Sequence, residues 1–111
     1  MNFRLVLFLS VLAINPANAA DCPMAGYVYA YRFNEFFRGH LAFDLDCTRM
    51  AVLETSQSHI LELKPSKRGW RASFKEYRRD VRGYWEINKN GTQVFFKSSS
   101  VKGKSNLRKI Q

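Results

Sequence analysis

The sequence has little of what most catalytic and metal-binding chains carry. Two histidines, His40 and His59, and two cysteines, Cys22 and Cys47, are its whole stock of those ligands. No C-x-x-C pair and no zinc-like Cys/His spacing is present, so neither a redox dithiol nor a zinc site is expected. The G-x-S-x-G, P-loop and H-E-x-x-H patterns are missing too, and with them the commonest hydrolase, nucleotide-binding and metalloprotease signals. Asp44 and Asp46 stand two apart with no third carboxylate nearby and no Gly-rich calcium loop. They are expected to pair with basic residues across the sheet. No cofactor and no metal is therefore expected.

Long apolar runs are also scarce, and the one that exists is short. It extends from Leu5 to Ile14, broken only by Ser10. A membrane span needs about 20 apolar residues, so this run falls short of an anchor. It is preceded by Arg4 and followed by Asn15-Pro16-Ala17-Asn18-Ala19. A charged start, a short apolar stretch and a small-x-small site are the parts of a secretory signal peptide. Residues 1–19 are accordingly read as a signal peptide cleaved after Ala19, with Ala20 the next candidate. Asp21 directly before Cys22 argues against lipidation of that cysteine. The compact site looks bacterial, so the mature chain, residues 20–111, is expected as a single periplasmic or secreted domain with no transmembrane segment.

In an oxidising compartment an isolated cysteine pair is most simply a disulfide. Closing the 25-residue interval between Cys22 and Cys47 should contribute about 3 kcal/mol by the chain-entropy estimate. That matters for a domain this small, where burial alone gives marginal stability.

Acidic residues are scarce in one half only. Residues 20–63 hold three basic and six acidic side chains, net −3, while residues 64–111 hold fourteen basic and three acidic, net +11. Such a split implies a positive face that attracts anions.

What the chain has in quantity is period-two alternation. Tyr27, Tyr29, Tyr31 and Phe33 alternate with polar or small neighbours through Phe37, which reads as a strand. Arg38-Gly39 reads as a turn. His40 to Cys47 reads as a second strand with Leu41, Phe43, Leu45 and Cys47 facing inward. Residues 49–55 fit a strand or a helical turn equally, and Ser56-Gln57-Ser58 is a polar break. His59 to Lys64 is a strand with Leu61 and Leu63 on one face. Pro65 to Gly69 is a loop. Trp70, Ala72 and Phe74 then alternate with Arg71, Ser73 and Lys75. Glu76 to Arg82 is a charged loop or one helical turn.

Asn90-Gly91 predicts a two-residue type I′ turn, since both central residues need positive φ. That turn places Ile87 opposite Val94 and Trp85 opposite Phe96. Ser98 to Ser105 reads as a polar linker, and Leu107 to Ile110 as an edge strand or a loose basic tail. Six or seven strands with short turns and no convincing long helix make an all-β class. The expected architecture is a small antiparallel meander curled into a barrel or a two-sheet sandwich, because open edges invite aggregation.

Two constellations bear on function. Rings and cations interleave from Trp70 to Lys97, and Lys67, Arg68, Arg71, Lys75, Arg78, Arg79, Arg82 and Lys97 are the candidate anion-binding residues. Alternation equally fits rings as core and cations as outer surface. The candidate partners are an anionic envelope polymer, lipid head groups or an acidic protein, with nucleic acid a further anion of lower priority outside the cytoplasm. The second constellation is weaker. His40, His59 and a lysine could form a two-histidine nuclease site, one base and one acid with a cation for the phosphate.

In size, export, one disulfide and an aromatic meander, the chain resembles the small periplasmic inhibitor barrels that protect bacteria from lysozymes. The resemblance is architectural and transfers no functional residue, and the strong positive charge departs from what an inhibitor of basic lysozymes should carry. The reading that results is a small, basic, exported, non-enzymatic β-domain that binds an anionic envelope component or partner protein. A secreted nuclease-like enzyme using His40 and His59 is the first alternative. An accessory component of an envelope or secretion assembly is the second.

Overall fold

The computed structural model describes residues 22–55, 57–76 and 81–111. The expected signal peptide and its cleavage site lie outside them. Ten strands follow in chain order: β1 (Val28–Arg32), β2 (Arg38–Phe43), β3 (Arg49–Leu53), β4 (Ser58–Glu62), β5 (Lys64–Ser66), β6 (Gly69–Glu76), β7 (Val81–Asn88), β8 (Gln93–Ser98), β9 (Lys102–Asn106) and β10 (Arg108–Lys109). They form two antiparallel five-stranded sheets, ordered β10-β1-β2-β3-β4 and β5-β6-β7-β8-β9. The class is all-β, and of the two expected architectures the protein takes the packed pair of sheets rather than the closed barrel.

The alternation sets the core. Tyr29, Tyr31, Leu41, Phe43, Met50 and Val52 from the first sheet meet Trp70, Ala72, Trp85, Ile87 and Val94 from the second. At one end an aromatic group joins the sheets. Trp85 packs edge-on against Tyr31 at 5.2 Å, Phe37 at 5.7 Å and Phe96 at 4.9 Å. Such ring pairs add roughly 0.5–1.5 kcal/mol each beyond the area they bury. At the other end the Cys22–Cys47 disulfide ties the segment before β1 to the β2–β3 turn. Met24, fully buried, sits there against Gly91.

Glu76, Val81 and Arg82, expected in a charged loop or helical turn, lie in β6 and β7, and the chain differs from the sequence reading at five further places. First, β1 stops at Arg32, and the turn is Phe33–Phe37, not Arg38-Gly39. Asn34 Oδ1 accepts the N–H groups of Phe36 and Phe37 (2.7 and 2.8 Å) and bends the chain early. Second, β2 ends at Phe43, so Leu45 is exposed. Asp44 organises the turn instead: its carboxylate accepts the N–H of Thr48 (2.9 Å) and of Arg49 (3.2 Å). Cys47 reaches the core from a left-handed backbone, φ 59°, and not from a strand face.

Third, residues 64–66 form a short strand, leaving only Lys67-Arg68 as the turn into β6. Fourth, the Ile87/Val94 and Trp85/Phe96 pairs occur as expected, but the turn is longer. Only Gly91 has positive φ (69°). Its N–H bonds to Asn88 O at 3.0 Å, and Asn88 Oδ1 accepts the N–H groups of Thr92 and Gln93. A four-residue loop centred on the same pair keeps the same register. Fifth, the supposed linker Ser98–Ser105 contains β9, which pairs with β8 from Gln93↔Asn106 to Lys97↔Lys102. Residues 49–55, read as strand or helical turn, contain β3, and Leu107–Ile110 contains the edge strand β10, paired to β1.

Candidate anion-binding face

Inward alternation on the second sheet obliges its other side chains to share the outer face. The ladder registers then fix their neighbours. One rung runs Lys64, Arg71, Glu86, Phe95 and Lys104 across β5 to β9. The next runs Ser73, Tyr84, Lys97 and Lys102. The third pairs Lys75 with Arg82. Seven cations therefore surround two rings, Tyr84 and Phe95, on one pleated surface.

The carboxylate within these rungs is Glu86, which is only 4% exposed, and Glu62 at the end of β4 reaches the edge of the face, 3.4 Å from Lys64 Nζ. Glu86 Oε2 accepts two hydrogen bonds from Arg71, Nη2 at 2.9 Å and Nε at 3.2 Å, and one from Ser66 Oγ at 3.4 Å. A guanidinium clamped in this way by a carboxylate cannot swing freely. The Arg71 guanidinium also lies 4.0 Å from the centre of the Tyr84 ring, a cation–π contact. Arg71, Glu86 and Tyr84 thus form a fixed centre, with lysines around it on long flexible stems.

Of the expected anion-binding residues, Arg71, Lys75, Arg82 and Lys97 share this face. Lys67 and Arg68 occupy the β5–β6 turn and, with Arg71 and Glu86, line a shallow recess of about 660 Å³. Arg78 and Arg79 lie outside the described residues. Lys64, Lys102 and Lys104 belong to the face but escaped the sequence reading. The alternation of Lys102 and Lys104 with Gly103 and Ser105 was the available signal. It was hidden because the inward residues of β9 are small or polar: Gly103 leaves room for Phe33, whose ring would lie 2.8 Å from any Cβ there, and buried Ser105 accepts the Arg32 N–H at 2.9 Å.

The two histidines are not brought together. His40 points out from the first sheet, opposite Ala30 and Leu53. His59 lies two strands away, opposite Val52, whose side chain faces the core. They line different clefts. Asp44 pairs with Arg49 Nε at 3.4 Å, within its own turn and not across to the basic half. Burial raises the Asp44 carboxyl, but hydrogen bonds from Thr48 and Arg49 outweigh that and hold its pKa below the usual value. Among the described residues no group of three His, Cys, Asp or Glu could hold a metal ion, and no helix is long and apolar enough to cross a membrane.

No known family, curated protein or solved structure matches this chain.

Proposed function

We propose that this is an exported, non-enzymatic β-domain whose second sheet binds an anionic partner in the cell envelope. The observation that carries the reading is the like-charge pairing on that sheet. Lys97 stands directly opposite Lys102. Like charges at such cross-strand positions destabilise a sheet, where opposite charges would stabilise it. A surface that keeps cations there, around two aromatic rings, has the composition of a site for polyanions. Export rests on the signal-like N-terminus, and the disulfide is consistent with an oxidising compartment.

The test is retention of residues 20–111 on heparin and on vesicles rich in anionic lipid, as a function of salt. Exposed charges are screened over about 8 Å at physiological ionic strength. Binding should therefore fall steeply between 50 and 500 mM NaCl, chosen to span that range. Retention indifferent to salt would remove the electrostatic basis. The nuclease alternative draws no support from the separated histidines. The assembly alternative has one observation in its favour, Ile60, which is 71% exposed on the first sheet.

A further inference from the structure

The first sheet carries a cation cluster of its own, and the ladder registers place it. Ala30 of β1 lies opposite His40 of β2 on one side and Arg108 of β10 on the other. Two residues along, Arg32 lies opposite Arg38. All five side chains are on the outer face, because Tyr29, Tyr31 and Leu41 between them are buried in the core. Directly opposed residues stand about 4.5–5.5 Å apart and diagonal ones about 7–8 Å, distances that long side chains span. Three guanidinium groups and one imidazole therefore ring a floor made by a single methyl group.

The same residues line a cleft of about 830 Å³. Its walls are completed by Leu53, Glu54 and Thr55 at the end of β3, and by Ser105 and Asn106 at the end of β9. The backbone under Arg32 is fixed there, since its N–H is accepted by Ser105 Oγ at 2.9 Å. The volume falls within the range of small-molecule sites, roughly 300–1,000 Å³. Leu53 follows His40 on the rung and is 39% exposed, so it offers an apolar contact beside the cations.

Arg49, the remaining arginine of this sheet, is paired with Asp44. The three around Ala30 are not: among the described residues none of them has an ion-pair partner. Glu54, the carboxylate lining the cleft, is already engaged. Its Oε2 accepts from Tyr31 Oη (3.0 Å) and its Oε1 from Gln57 Nε2 (3.3 Å). Like charges at opposed positions destabilise a sheet, so three unpaired guanidinium groups in one cleft favour an anion between them. Each offers a planar fork of N–H donors that matches phosphate oxygens. A carboxylate would bring one negative charge. A phosphomonoester brings about 1.5–2 at pH 7, closer to the three positive charges present.

We infer that this cleft binds one phosphomonoester, with the phosphate above Ala30, held by Arg32, Arg38, Arg108 and a ring N–H of His40, and its organic group against Leu53. The site does not rest on the polyanion reading, since it uses none of the second sheet's cations. The two fail separately: heparin tests the second sheet and a small phosphate ester the first.

The experiment is calorimetric titration of the mature, disulfide-bonded protein with phenyl phosphate and with its singly charged diester, methyl phenyl phosphate. One phenyl phosphate per chain is expected, and the diester should bind at least tenfold more weakly. Arg32→Gln with Arg38→Gln should weaken phenyl phosphate at least tenfold and shift heparin elution little. Ala30→Leu changes no charge but fills the floor, and should weaken it as much. Lys97→Gln with Lys102→Gln removes the same charge from the second sheet and should leave phenyl phosphate as it was. Competition with phosphatidate vesicles tells the two sources of a monoester apart. Displacement of phenyl phosphate supports a lipid-borne ester in the cleft, and no displacement supports a soluble one. The proposal is overturned if phenyl phosphate gives no saturable heat, if the diester binds equally well, if the folded Ala30→Leu and arginine variants bind as the native protein does, or if the lysine pair costs as much as the arginine pair.

Discussion

The two sheets have the same number of strands and supply comparable shares of the core, but their outer faces differ in kind. The second sheet shows seven cations, two rings and one clamped carboxylate. The first shows a rung of Val28, Ala42, Ala51 and Ile60, with Ile60 71% exposed, and four cations: Arg32 opposite Arg38, Arg108 opposite Ala30, and Arg49 opposite Glu62. Burial cannot have produced this difference, since both inner faces follow the same alternation. Charge was placed where the fold is indifferent to it. That contrast makes the outer surfaces, and not the core, the place to look for function.

The contrast rests on both sheets being held in one body, so the largest expected effect is at their joint. Trp85→Ala removes the ring that touches Tyr31, Phe37 and Phe96. Loss of a large buried aromatic costs about 3–5 kcal/mol. Urea unfolding should show it. A loss below about 1 kcal/mol would mean that the aromatic end does not join the sheets. Replacing both Cys22 and Cys47 by serine should cost about 3 kcal/mol at the opposite end, and the two losses should add, since the sites share no partner.

The next effect compares the faces directly. Lys97→Glu with Lys102→Glu should abolish most retention on anionic vesicles, where each cation near the surface contributes about 1 kcal/mol. Arg32→Glu with Arg38→Glu makes the same change of net charge at a like-charged pair on the first sheet. It should cost much less binding. Equal losses would show that net charge alone drives attraction. Glu86→Gln should then move stability and binding in opposite directions. It breaks the charged clamp on Arg71 and lowers stability by about 1–3 kcal/mol, while adding one positive charge to the face and raising the salt needed for elution. If binding falls together with stability, the fixed Arg71–Tyr84 centre matters more than charge.

The sequence showed the inner faces well and the connections poorly, and the reason is physical. Strand interiors announce themselves through alternating burial, so Tyr29, Leu41, Trp70 and Ala72 fell on the expected faces. Turns depend on side-chain hydrogen bonds to backbone, which have no period. Asn34, Asp44 and Asn88 each decide where a strand stops. Of the three only the last lay beside a dipeptide, Asn90-Gly91, that marks a turn, and there the loop came out two residues longer with the register intact. The cationic face was half legible for the same reason. Arg71 and Lys75 alternate with large apolar residues, while Lys102 and Lys104 alternate with Gly103 and Ser105 and resemble a linker. The arginine cluster around Ala30 was not legible at all, because it follows from the pairing of β10 with β1, which a two-residue edge strand does not announce.

The smallest effect concerns the turn that links β2 to β3, in the acidic half. Asp44 has its pKa lowered in the folded protein, because the hydrogen bonds from Thr48 and Arg49 favour its charged form over the effect of burial. Linkage then fixes the sign. A carboxyl that holds its proton less tightly when folded stabilises the fold fully above its unfolded pKa, near the ordinary 3.8, and loses that contribution as pH falls through its lower folded value. Asp44→Asn should therefore reduce stability modestly at pH 6, by about 1 kcal/mol for hydrogen bonds of this kind. The difference from the native protein should shrink on acidification toward pH 2.5, as the native carboxyl takes up its proton. Urea midpoints of the native protein and of Asp44→Asn across that range provide the check. If the Asp44→Asn deficit persisted undiminished at low pH, the turn would be held by shape and not by the charge of its carboxylate.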